Sequence, residues 1–158
     1  GWGWWIDHGV RARRAIAVDG TAERLLIAIR DRVWVEGDAS PPDLRLDVPL
    51  ARRDAAPAVD GARFTLGAAP GVLAGLVIGE GAQAAAASTT RNRIVMEKGK
   101  PPRKVVDSTW TLTLSGRGTL LTILALGSEA APVITVEAGR ISVDGQRLVV
   151  EDDRMVWE

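Results

Sequence analysis

The residues richest in chemistry stand at the start of the chain. GWGWWIDHGVRARR holds Trp2, Trp4 and Trp5, the only histidine, His8, and the arginines Arg11, Arg13 and Arg14. Indole rings stack on the apolar faces of sugars, and guanidiniums grip carboxylate or sulfate groups through two parallel hydrogen bonds. Trp2, Trp4, Trp5, His8, Arg11 and Arg13 are therefore the candidate ligand-binding residues, suited to a sugar chain that carries acid groups. The same residues also suit the buried end of a strand, or a seam against a neighbouring domain. In an extended segment Trp2 and Trp4 share one face and Trp5 takes the other.

Other chemistries are narrowed by what the sequence lacks. It has no cysteine, which removes disulfides, thiolate metal sites and a cysteine nucleophile together. One histidine cannot build a zinc site from several imidazoles, and the D-x-D-x-D-G spacing of a calcium loop is absent. No metal and no other cofactor is expected. Neither a phosphate-binding P-loop nor a G-x-S-x-G nucleophile elbow occurs. With tyrosine also missing, no catalytic residue is assigned, and the chain alone is expected not to be an enzyme. Twenty basic residues balance twenty acidic ones, so no global field favours nucleic acid. No apolar run approaches the ~20 residues of a membrane-spanning helix, and no secretory leader is expected at the first residues.

The elements that must position these groups follow from alternation. Val10, Ala12, Arg14, Ile16 and Val18 fall in one phase, and Leu25, Ile27, Ile29, Val33 and Val35 in another, which is the pattern of half-buried strands. Arg14 shares its phase with aliphatic residues and so needs an acidic partner or a place at the sheet edge. DLRLDVPL continues the pattern, with Pro49 arguing for an edge or a strand end. STWTLTLSG separates Trp110, Leu112 and Leu114 from Thr109, Thr111 and Thr113. GTLLTILALG, across Gly116-Arg117-Gly118, is apolar on both faces and suits a central strand covered on both sides. Asp144-Gly145 in GRISVDGQRLVV reads as a two-residue hairpin turn. GEGAQAAAASTTRNR contains four consecutive alanines, which favour helix, yet its surroundings favour strand or loop. EGDASPPD and EKGKPPRK are loops. The chain, residues 1–158, reads as one all-β domain, an antiparallel β-sandwich of roughly ten to thirteen short strands with little or no helix.

Four segments resemble the C-terminal β-rich region of heparinase II/III-like polysaccharide lyases. They are HGVRARRAIAVDG, ERLLIAIRDRVWVEG, VDGARFTLGAAPGVLAGLVI and STTRNRIVMEKGKPPRKVVDSTWTLTLSGRGTLLTILAL, which together span most of the chain. In that family a helical toroid packs on a β-sandwich, and uronate-containing chains are cleaved by β-elimination in the cleft between them. This sequence departs from the family in having no toroid, no tyrosine and no asparagine–histidine motif. The resemblance therefore implies a non-catalytic domain, a fragment or subunit of a larger lyase-like protein. It implies an upstream catalytic domain or partner chain, contact with acidic polysaccharide, and a periplasmic or secreted location. A free-standing carbohydrate-binding module and a self-assembling structural β-protein are the alternatives that the residues themselves leave open.

Overall fold

The computed structural model describes residues 2–6, 9–21, 23–37, 40–50, 56–68, 71–152 and 154–158, without the side chains of 2–6, 68, 91 and 107. The described residues form twelve strands and no helix: β1 (Trp2–Ile6), β2 (Val10–Gly20), β3 (Arg24–Val35), β4 (Asp43–Leu50), β5 (Ala58–Asp60), β6 (Arg63–Ala68), β7 (Gly71–Val95), β8 (Arg103–Gly127), β9 (Ile134–Glu137), β10 (Arg140–Val143), β11 (Gln146–Val150) and β12 (Met155–Trp157). Every pairing is antiparallel. The architecture is an antiparallel β-sandwich. The large sheet runs β1-β2-β3-β8-β7-β6-β5, with β4 also paired to β8, and the small one runs β12-β11-β10-β9.

Two strands are far longer than alternation alone suggested. β7 and β8 have 25 residues each, against about 5–6 for an ordinary strand. Gly116-Arg117-Gly118 looked like a boundary between strands, but it bends β8 without ending it. The register between β7 and β8 shifts on either side of Glu80, opposite that same point. The glycines make the bend possible. A Cβ on Gly79 would lie 2.4 Å from the carbonyl oxygen of Thr119, and Gly118 has a φ of +62° with Pro41 against it. Only glycine adopts both arrangements without strain.

The bend lays one half of the β7–β8 hairpin over the other. Leu112 and Leu114, before the bend, share a buried cluster with Leu120 and Leu124, after it, closed by Leu44 of β4, Phe64 of β6 and Val77 of β7. On the opposite side of the same sheet, Leu26, Ala28, Leu121, Ile123 and Ala125 pack against Ile134, Ile141, Val143, Leu148 and Met155 of the small sheet. The second half of β8 is thus covered on both faces, as its unbroken apolar run requires. Each fully buried leucine or isoleucine there contributes about 1.5–3 kcal/mol. Asp144 (φ 47°) and Gly145 (φ 85°) both take positive φ, making the expected hairpin turn between β10 and β11.

Polar contacts pin the small sheet in place. Gln146 accepts from Arg24 and donates to Asp19 at 2.9 Å. Arg30 donates to the carbonyls of Glu151 and Asp152, both at 2.6 Å, and Arg63 to that of Ile134 at 3.0 Å. Arginine, the main cation of this chain, serves first as a clamp between sheets.

If the bend rests on its glycines, Gly79→Ala will destabilise the protein by about 1–3 kcal/mol, because the intruding methyl meets backbone that cannot rotate away. Gly67→Ala, where an added Cβ meets nothing within 4 Å, will be close to neutral. Urea unfolding of the two variants tests the contrast.

Candidate functional site: an arginine-lined cleft

β2 and β3 lie side by side over their whole length, so residues that break the apolar phase in one strand stand opposite those in the other. Arg14 and Asp31 are such a pair. Asp31 is only 7% exposed, and Arg14 meets it with both arms of the guanidinium, Nε to Oδ1 at 2.6 Å and Nη2 to Oδ2 at 3.1 Å. The hydrogen bond to Asp31 is the main reason that the Arg14 pKa is raised above its already high ordinary value. A buried carboxylate is tolerated only when paired in this way. The acidic partner expected for Arg14 is therefore Asp31.

The ion pair borders a cleft of about 1120 Å³ that runs from β2 and β3 to the start of β4. Five arginines line it, Arg13, Arg14, Arg32, Arg45 and Arg154, against two acids, Asp31 and Asp43. Two of the five sit in exposed ion pairs, Arg45 with Asp47 at 3.1 Å and Arg154 with Glu151 at 2.6 Å. Exposed pairs of this kind add little to stability, so an arriving anion can replace the internal carboxylate at little cost. Arg14 uses two of its five N–H groups on Asp31, and its side chain is half exposed. Beside the cleft, the Thr113 hydroxyl donates to Asp47 at 2.6 Å. That bond first, and Arg45 second, hold the Asp47 carboxyl below the usual carboxylate range. The cleft can thus engage planar, doubly bonded anions such as carboxylate or sulfate.

Of the residues singled out from sequence, Arg13 lines the cleft. Arg11 does not, and forms an ion pair with Glu36. β1 pairs with β2 so that Trp2 stands opposite Arg14, Trp4 opposite Ala12 and Trp5 opposite Arg11. The side chains of Trp2, Trp4 and Trp5, and the whole of His8, lie outside the described residues. Trp34, Trp110 and Trp157 are half-buried, and the Arg32 guanidinium sits 5.7 Å from the centre of the Trp34 ring. Sequence reasoning missed Asp31, Arg32, Arg45 and Arg154. Asp31 had a legible signal, being the one charge in the apolar phase of β3. Arg45 and Arg154 had none, because they reach the cleft from distant parts of the chain.

Among the described residues no three histidine, aspartate or glutamate side chains gather as a metal ion would require. Nor, among the described residues, is any helix long and apolar enough to cross a membrane. No family model, curated protein or solved structure matches the chain.

Removing one partner of the Arg14–Asp31 pair leaves the other unmatched. Arg14→Ala will cost on the order of 2 kcal/mol, less than a fully buried pair would because Arg14 is half in water. Arg14→Leu combined with Asp31→Leu will recover most of that loss. A double-mutant cycle in urea measures both, and equal stability of the single and double variants would contradict the assignment.

Proposed function

We propose that the chain is the non-catalytic β-sandwich domain of a heparinase II/III-like polysaccharide lyase, and that its arginine-lined cleft holds an acidic, uronate-containing polysaccharide. One observation carries this reading: among the described residues, five arginines and two acids line one open cleft, in a chain whose charges balance overall. Neutral sugars need no such excess. Carboxylates spaced along a polymer do, and guanidinium geometry matches them.

A non-catalytic role agrees with the residue inventory. β-Elimination beside a uronate needs a group to take the proton and another to deliver it to the leaving oxygen. The guanidiniums around the cleft offer only donors and no acceptor, so none of them can act as the base. Asp31 is tied to Arg14 through both oxygens. The cleft supports holding a polymer for a catalytic domain carried elsewhere.

Binding will therefore be electrostatic, and added salt will weaken it steeply. The protein will be retained in affinity electrophoresis through polygalacturonate or heparin, and far less by an uncharged glucan. Arg13→Ala, Arg45→Ala and Arg154→Ala together will lower affinity roughly tenfold or more, about 1.4 kcal/mol, without a matching loss of thermal stability. Unchanged retention in the triple variant would overturn the cleft as the site. Release of unsaturated uronate by the wild-type chain would overturn the non-catalytic role.

A further inference from the structure

The β7–β8 hairpin outruns its neighbours. β4 leaves β8 at Trp110, opposite Leu50, and the β5–β6 turn makes its last bond to β7 at Ala84. Beyond those points, among the described residues, β7 and β8 pair only with each other. From Trp110 to Arg103 the ribbon extends by roughly 25 Å, at about 3.4 Å per residue. It ends in EKGKPPRK, which holds all three lysines of a chain that otherwise uses arginine. The Lys100 N–H closes the turn on the Glu97 carbonyl at 3.0 Å, with Gly99 at a φ of +79°.

The two faces of this projecting end differ. Residues opposed across an antiparallel ladder share a face, so Ile94 lies with Lys104, and Asn92 with Val106 beside them. Met96 follows Ile94 by two residues. Met96 is 79% exposed and Ile94 69%, the two highest values for large apolar side chains among the described residues, and Val106 is 60% exposed. Farther in, the same face is buried, where Leu112 and Leu114 join the core. On the other face Val95 is half-buried beside Glu97, whose carboxylate takes Lys100 at 2.6 Å and Arg103 at 3.5 Å. Glu97, the one acid of EKGKPPRK, is therefore already matched. Lys98 and Lys104 are exposed and make no ion pair among the described residues.

Three exposed aliphatic side chains and two uncompensated cations thus share one projecting end. Nucleic acid or an acidic glycan would match the lysines and leave Ile94, Met96 and Val106 in water. An anionic lipid bilayer offers both halves of the match, acyl chains beneath a layer of negative charge, and demands no complementary shape. Lysine suits such a boundary, because its stem lies along apolar matter while its ammonium returns to the headgroups. We propose that the end of the β7–β8 hairpin docks on an anionic lipid bilayer. Ile94, Met96 and Val106 enter the interface, and Lys98 and Lys104 meet the headgroup charges. Entry is shallow, since the free backbone edges of a two-stranded ribbon are not tolerated in hydrocarbon. The site is independent of the arginine cleft, which lies on β2, β3 and the start of β4.

Co-sedimentation of the full chain with lipid vesicles tests this. The wild type will pellet with vesicles of phosphatidylcholine mixed with phosphatidylserine, and far less with phosphatidylcholine alone. Lys98→Glu with Lys104→Glu will weaken binding roughly tenfold or more, and added salt will act in the same direction. Ile94→Ser with Met96→Ser keeps every charge and will weaken binding by a similar factor. It will also abolish the rise in surface pressure that the wild type causes in a monolayer of the mixed lipids. All four side chains are exposed, and circular dichroism will show both variants folded. The Ile94→Ser, Met96→Ser variant will keep the wild-type behaviour in polygalacturonate, which depends on the cleft. A wild type that stays in the supernatant, or a lysine variant that binds as tightly as the wild type, would overturn the proposal. So would full binding by the Ile94→Ser, Met96→Ser variant, which would make the hairpin end a plain polyanion site.

Discussion

Everything in this fold depends on the bend in the β7–β8 hairpin. A straight ribbon of two 25-residue strands would have two faces and no core, and two strands alone are marginal in water. Bending at Gly79 and at Gly116–Gly118 turns one ribbon into two layers, with Leu112 and Leu114 packed on Leu120 and Leu124 of the same strand. β3 and β4 then pair with the same side of β8, one beyond the bend and one before it. The cleft lies between β2 and β3 on one side and the start of β4 on the other. It exists because the bend brings strands of the two layers face to face at that corner.

The second constraint is the use of arginine. A sheet covered on both faces leaves few places for charge, and its polar groups must find partners. Arg24, Arg30 and Arg63 answer this by reaching from the large sheet to Gln146 or to carbonyls of the small one. Arg14 answers it within the large sheet through Asp31. A planar fork with several donors fits these tasks better than the single ammonium of lysine. Arg45 and Arg154 of the cleft belong to the same economy, and differ in having carboxylate partners that are exposed and exchangeable.

The strand content was legible in the sequence because it rests on local alternation. β2, β3, β4 and the β10–β11 hairpin appear where alternation and turn residues put strands. The buried faces of β2 and β3, however, differ from the expected phases: Ile16 and Val18 are exposed, while Ala17, Leu26 and Ala28 are the buried residues that face the small sheet. GTLLTILALG is buried on both faces, as its composition required. The bend was not legible. Glycines that end one strand and begin another look the same as glycines that let one strand turn, and only the neighbours across the ladder, Thr119 and Pro41, decide between them. The strand state of the alanine run was visible only through its flanks, since alanine itself argues the other way. For the site, Arg13 and the need of Arg14 for an acid could be read from phase. Arg45 and Arg154 could not, because their approach to the cleft depends on the bend and on the docking of the small sheet.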